Sequence, residues 1–128
     1  CCCWKGCAFV LLPLGRMPDW QPCLLDGASQ SSPHILEERA ATNLLGLEPI
    51  FFGDMHRSTA FSDVQKVLLS PESPPCVLVL ELPQRMNGGA SPSWNELLQI
   101  RDMCAAKGIH LHLDGARLWE VAPWYWKE

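Results

Sequence analysis

The length, composition and charge of this chain limit the classes of protein to which it can belong. Its 128 residues suffice for one compact domain with a core and are too few for two. Hydrophobic residues make up 48% and charged residues 19%, which is typical of a globular protein and argues against a disordered one. The formal net charge is -4 and no block of Lys or Arg occurs, which excludes binding along a nucleic acid. We therefore expect a soluble, cytoplasmic protein.

The amino-terminal residues show little regular pattern. The apolar stretch at 7–14 is interrupted at Pro13 and is far shorter than the roughly 20 residues that span a bilayer, so no membrane segment is predicted. The total of seven cysteines is odd, which argues against a closed disulfide framework. We interpret 1–32 as a poorly defined segment, mostly loop with a short strand at 8–12. Because the chain begins with Cys, we expect the natural amino terminus to lie upstream.

Helices and strands are predicted from residue 33 onward. A helix is expected over 33–45, with the hydroxyl of Ser32 as N-cap and Gly46 in the left-handed position at its end. A short strand at 49–52 and a second helix over 60–69 follow.

The clearest signals lie in the second half of the chain. The run VLVLEL at 77–82 is almost continuously apolar, as in strands that are buried on both faces of a parallel sheet. Ser93-x-x-Glu96 is a capping box that opens a helix through about Lys107, and a strand at 109–113 follows. Strand, helix and strand at this spacing predict an α/β fold around a mainly parallel sheet.

Two strand ends are candidates for a functional site, because ligands of open α/β sheets bind at the carboxyl ends of strands. The first is ELPQR at 81–85, and the second is DGAR at 114–117. Strand alternation puts His110, His112 and Asp114 on one face. An acidic side chain at the end of a buried strand needs a partner, which could be a metal, a cationic ligand or Arg117.

The residues alone leave two alternatives open for this face. A His-x-His-x-Asp pattern can supply three metal ligands, which would suit a metallohydrolase that uses His110, His112 and Asp114. Against it, Gly115 stands where such hydrolases usually carry another histidine. The structural alternative is that Asp114 caps a turn and His112 is half-buried.

The run LHLDGARLWEVAP at 111–123 resembles the signature of the threonine aldolase and aromatic amino acid β-eliminating lyase family, whose members depend on pyridoxal 5'-phosphate (PLP). The preceding LELPQRMNGGASPSWNELLQIRDMCAAKGI, at 80–109, is similar to the segment before that signature, including its paired glycines. The resemblance implies that 33–128 is a partial three-layer α/β sandwich, a fragment of the large domain of a fold-type-I PLP enzyme.

The resemblance also implies roles for three residues. The carboxylate at the position of Asp114 pairs with the pyridine nitrogen of the cofactor, and the guanidinium at Arg117 lies by the cofactor and the substrate carboxylate. His34 matches the family's histidine that stacks on the cofactor ring. The simpler alternatives are an ion pair of Arg117 with Asp114 or Glu120, and a surface position for His34.

Two features of the family pattern have no match in this chain. The lysine that bonds covalently to PLP lies on a later strand, and the four lysines here, Lys5, Lys66, Lys107 and Lys127, stand in other contexts. In the phosphate-binding turn, Leu14 and Arg16 stand where hydroxyl side chains would be expected. We therefore assign no catalytic residue.

Taken together, the resemblance implies a fragment of a PLP-dependent lyase that cleaves β-hydroxy amino acids such as threonine to glycine and an aldehyde. A related β-elimination is equally compatible. We expect this chain by itself to be inactive, and we expect its parent to be a homo-oligomer that binds an amino-acid substrate. The alternative is a non-catalytic remnant or interaction domain. Exposed apolar side chains at Trp119, Trp124 and Trp126 would make the chain poorly soluble.

Overall fold

The computed structural model describes residues 21–26, 47–54, 56–69, 75 and 77–127, with side chains from Pro49 onward. The strands are β1 (Gln21–Asp26), β2 (Leu47–Phe52), β3 (Val77–Glu81) and β4 (His110–Asp114). The helices are α1 (Phe61–Leu68), α2 (Trp94–Lys107) and α3 (Leu118–Tyr125), and a short 3-10 helix spans Arg85–Asn87. No helix within these stretches is both long and apolar enough to cross a membrane.

The four strands form one sheet in the order β2-β1-β3-β4, and each neighbouring pair is parallel. This confirms the predicted α/β class with a parallel sheet. The prediction of loop at 21–26 was wrong, because β1 lies between β2 and β3. Pro22 cannot donate a ladder hydrogen bond, but the pairing with β3 begins only at Cys23, so the proline does not interrupt that ladder.

The other predicted elements occur close to their expected positions. The segments expected at 49–52, 60–69, 77–82 and 109–113 are β2, α1, β3 and β4. At the start of α2, Ser93 Oγ accepts the N–H of Glu96 at 3.3 Å, and Glu96 Oε2 accepts the N–H of Ser93 at 3.1 Å, which is the predicted capping box. Gly108 ends the helix with a φ of 68° in the left-handed region. The strand expected at 8–12 and the helix expected at 33–45 lie outside the described residues.

The helices α1 and α2 pack against one face of the sheet. Leu78 and Leu80 of β3 point toward this face and contact a buried apolar cluster whose other members are Phe52, Val64, Leu68, Ile100, Cys104 and Ile109. The alternate residues of β3 point to the opposite face, and all five residues of the strand are buried. The apolar run therefore marks a strand that is covered on both sides, as predicted. The three-layer arrangement expected for 33–128 stays a prediction, because part of that range lies outside the described residues.

Candidate functional site

The carboxyl ends of β3 and β4 bring two carboxylates together. Glu81 and Asp114 are register partners in the parallel ladder, so their side chains leave the same face of the sheet. The pairing continues one step further, because the N–H of Leu82 donates to the carbonyl of Asp114 at 2.9 Å. Both acidic groups thus lie at the edge of the sheet where open α/β folds bind ligands.

Asp114 caps the turn that follows β4. Its Oδ1 accepts the N–H of Ala116 at 3.3 Å, and the side chain is only partly buried. Within the described residues this is the one hydrogen bond to the carboxylate, which leaves Oδ2 able to accept a donor from a ligand. The turn-capping role expected from sequence is therefore present, and it is compatible with a second partner.

Arg117 lies directly before α3 and contacts Glu81. The distance from Arg117 Nη1 to Glu81 Oε1 is 3.7 Å. Asp114 and Glu120 were the ion-pair partners expected from the sequence, but among the described residues Arg117 pairs with Glu81 instead. The reason is the pairing of β3 with β4. Glu81 is the register partner of Asp114 and therefore lies beside the turn that contains Arg117.

Glu81 is almost completely buried, with 6% of its surface exposed. Its Oε1 also accepts the N–H of Arg85 at 3.2 Å, so the loop after β3 contributes to its stabilisation. A buried carboxylate is costly unless such donors compensate it. The ELPQR segment at this strand end was a candidate site from the sequence, but no role was assigned to Glu81 itself.

The two histidines of β4 differ in their surroundings. His110 is exposed, whereas His112 is half-buried. Burial lowers the pKa of His112 below its ordinary value, and the nearby charge of Asp114 acts in the opposite direction. His112 is therefore neutral near pH 7.

The metal interpretation finds no support in this geometry. Residues 110 and 114 lie about 13 Å apart along an extended strand, which is too far for their side chains to share one ion readily. Among the described residues, no group of three His, Cys, Asp or Glu side chains could hold a metal ion. His34, Leu14 and Arg16 lie outside the described residues, so the stacking role of His34 stays a prediction.

A second buried contact organises the loop that follows β3. Gln84 Nε2 donates to Thr59 Oγ1 at 2.7 Å, and Gln84 Oε1 accepts a bond from Asn87 Nδ2 at 3.3 Å. The paired glycines Gly88 and Gly89 have φ values of 62° and 80°, a conformation that favours glycine. The N–H of Gly89 then donates to the carbonyl of Gln84 at 2.9 Å, which closes the loop. Gln84 belongs to the ELPQR segment expected at this edge, but its bond to Thr59 was not predicted, because the two residues lie on separate loops.

Among the described residues, no lysine forms an ion pair with Asp114. Lys66 lies on the exposed side of α1. Lys107 ends α2, so it stands near the amino end of β4, opposite to the end that carries Asp114. Lys127 is exposed and follows α3. Lys66 and Lys107 are therefore poor candidates for a covalent bond to a cofactor at this edge.

Comparison with known proteins decides the family. The sequence model of the Beta-eliminating lyase family matches residues 26–127, which is most of the chain. The chain belongs to the β-eliminating lyase family. This family is PLP-dependent, and the match confirms the resemblance seen in the LHLDGARLWEVAP run. No curated protein matches the chain.

A solved structure extends the comparison. A protein from Listeria monocytogenes EGD-E, assigned as an L-allo-threonine aldolase, is 30% identical to this chain and superposes with a TM-score of 0.72. The match covers 94% of this chain and 31% of the Listeria chain. The chain thus spans about a third of the length of the protein it resembles.

Proposed function

We propose that this β-eliminating lyase chain supplies the part of a PLP site that holds the pyridine ring, in an enzyme that cleaves β-hydroxy amino acids such as threonine to glycine and an aldehyde. The observation that supports this most directly is the position of Asp114. Asp114 lies at the carboxyl end of a parallel strand, where ligands of such sheets bind. Its carboxylate is partly buried, and its Oδ2 has no donor among the described residues.

The charges at this edge suit a cationic group. Glu81 and Asp114 contribute two carboxylates, and Arg117 contributes one guanidinium close to Glu81. An N–H on a protonated ring nitrogen would find its acceptor in Asp114 Oδ2, and a charge-assisted bond of this kind favours the protonated form. When bound, PLP supplies an electron sink for charge that develops at the α-carbon of an amino acid.

Arg117 suits the carboxylate of an amino-acid substrate. About a third of its side chain, 33%, is exposed, and its Nη1 lies 3.7 Å from Glu81 Oε1. The remaining N–H groups of the planar guanidinium can bind a carboxylate in a bidentate manner. We therefore assign substrate binding to Arg117 and cofactor binding to Asp114, while His34 keeps its proposed stacking role.

For the 128-residue chain itself, we expect PLP binding without turnover. The reason is the placement of Lys66 and Lys107 away from Asp114, which leaves the cofactor without a covalent bond from either. The full enzyme, its amino-acid substrate and its assembly as a homo-oligomer are part of the same proposal.

The test is a titration of the purified chain with PLP, followed by the absorbance of the cofactor and the quenching of tryptophan fluorescence. We expect saturable binding that Asp114→Ala weakens by about tenfold to a hundredfold, because a hydrogen bond to a charged group is lost. Glu120→Ala is the matched control, since it removes an exposed carboxylate in the same region. Incubation with PLP and threonine should release no glycine.

A folded wild-type chain that does not bind PLP would contradict the proposal. It would favour the second candidate, a non-catalytic interaction domain. The exposure of Trp119 (84%) and Trp126 (85%) favours that alternative, because large apolar side chains on a surface are common at protein interfaces.

A further inference from the structure

Glu81 places a charged side chain at the end of an otherwise apolar strand. A carboxylate at the end of a buried strand is costly, and a hydrophobic residue would suit the apolar VLVLEL run equally well. Yet Glu81 is 6% exposed, lies beside Asp114 in the ladder, and has Oε1 3.7 Å from Arg117 Nη1. Glu81 therefore contacts Arg117, the residue to which we assign substrate binding.

Without Glu81, the carboxylate nearest to Arg117 in the turn after β4 would be that of Asp114. Asp114 belongs to the same turn and precedes Arg117 by three residues, and its Oδ2 has no described donor. A guanidinium released from Glu81 would be attracted to this oxygen, because opposite charges interact strongly where water is partly excluded. An ion pair between Arg117 and Asp114 would occupy Asp114 Oδ2, the oxygen that is proposed to accept the N–H of a protonated ring nitrogen.

We infer that Glu81 is a positioning residue: it holds the guanidinium of Arg117 at the end of β3 and so keeps Asp114 available for a cationic ligand. The inference rests on the proposed function for the roles of Asp114 and Arg117. The contact between Glu81 and Arg117 itself is independent of any ligand. It places the guanidinium of Arg117 beside Glu81, while Asp114 Oδ2 has no donor among the described residues.

The first experiment tests the contact without cofactor. Nitrogen-15 spectra of the arginine Nε–H groups are recorded, with Arg117 assigned by the loss of its signal in Arg117→Lys. We expect the wild-type signal to be dispersed and slow to exchange with water, and Glu81→Gln to move it toward the position of a free guanidinium. Glu120→Gln, which removes an exposed charge three residues beyond Arg117, should leave the signal unchanged.

The second experiment links the contact to the site. In Glu81→Gln the dissociation constant for PLP should rise by about tenfold, the size of effect typical of groups that orient a direct ligand. Glu81→Asp keeps the charge and should retain part of the affinity. It is also the variant to use if Glu81→Gln does not fold, as judged by circular dichroism and thermal melting of both proteins.

The outcomes separate this inference from the proposed function. If the wild-type chain fails to bind PLP, the proposed function fails, while the Arg117 signal still decides the role of Glu81. An Arg117 signal that is identical in wild type and Glu81→Gln would overturn the inference. So would an unchanged PLP affinity in a folded Glu81→Gln protein whose wild type binds PLP.

Discussion

The side-chain amide of Gln84 donates a 2.7 Å hydrogen bond to the hydroxyl of Thr59, and both residues are buried. Thr59 follows β2 and Gln84 follows β3, so the bond joins the loops that leave two strands of one sheet. Because Gln84 comes three residues after Glu81, this bond also restrains the backbone beside the candidate site.

Thr59→Val tests this contact because it keeps the size of the side chain and removes the hydroxyl. We expect a loss of about 1–3 kcal/mol in the free energy of unfolding, since the buried amide of Gln84 loses an acceptor. Ser91→Ala is the control: its buried hydroxyl has no hydrogen-bond partner within the described residues, so its removal should change stability little. Urea unfolding of the three proteins measures both values, and equal effects of the two substitutions would contradict the assignment.

The acid sensitivity of the fold should depend on Asp63. Its carboxylate accepts two bonds from Arg57, at 2.7 and 2.8 Å, and one from the N–H of Ala60 at 3.1 Å. The hydrogen bond from Arg57 is the main cause that holds the pKa of Asp63 below its ordinary value of 3.8, although burial opposes it. A lowered pKa in the folded state means that Asp63 stabilises the fold above the unfolded-state pKa. This stabilisation is lost as the pH falls through the lower, folded-state pKa.

Asp63→Asn should therefore cost about 1–2 kcal/mol in the free energy of unfolding at pH 7, and the difference from wild type should shrink as the pH falls below about 4. Urea unfolding at a series of pH values gives the comparison. Asp102→Asn is the matched control, since Asp102 pairs with Arg101 on the surface and such pairs contribute little. A difference for Asp63→Asn that does not vary with pH would be inconsistent with this assignment.

The titration of His112 reports on the charge of Asp114. Burial lowers the pKa of His112 below 6.5, and Asp114 counteracts part of that shift. In the absence of ligand, Asp114→Asn should lower the pKa of His112 further, because it removes the charge that favours the imidazolium. Proton NMR of the imidazole signals measures the shift, with Glu120→Gln expected to have no effect. A higher pKa for His112 in Asp114→Asn would show that the charge of Asp114 does not favour the imidazolium form of His112.

The tryptophans of the carboxyl-terminal segment should promote self-association. Trp119 is 84% exposed and Trp126 is 85% exposed, while Leu113 of the neighbouring strand is 43% exposed. Replacing Trp119 and Trp126 together by Gln should raise solubility and reduce the apparent mass in light scattering, since less apolar surface remains in water. Trp94→Gln is the comparison, because Trp94 packs on Tyr125 with ring centroids 5.9 Å apart and should affect stability more than association. A monodisperse, cooperatively melting wild-type chain would contradict the expected poor solubility.

The sequence by itself determined the elements whose signals are local. The apolar run of β3, the Ser93–Glu96 capping box and the left-handed Gly108 each depend on residues a few positions apart, and the structure has them where they were expected. The LHLDGARLWEVAP run was likewise sufficient to indicate the family and to predict Asp114 at the end of a strand.

Only the tertiary structure decided the contacts between distant segments. QPCLLD at 21–26 has no alternating pattern and contains a proline, so its strand conformation becomes evident only from the pairing with β2 on one side and β3 on the other. The partner of Arg117 depends on the β3–β4 register, which brings Glu81 close although Asp114 and Glu120 are nearer in sequence. Local patterns report the conformation of one segment, whereas hydrogen-bond ladders between strands determine which distant side chains meet.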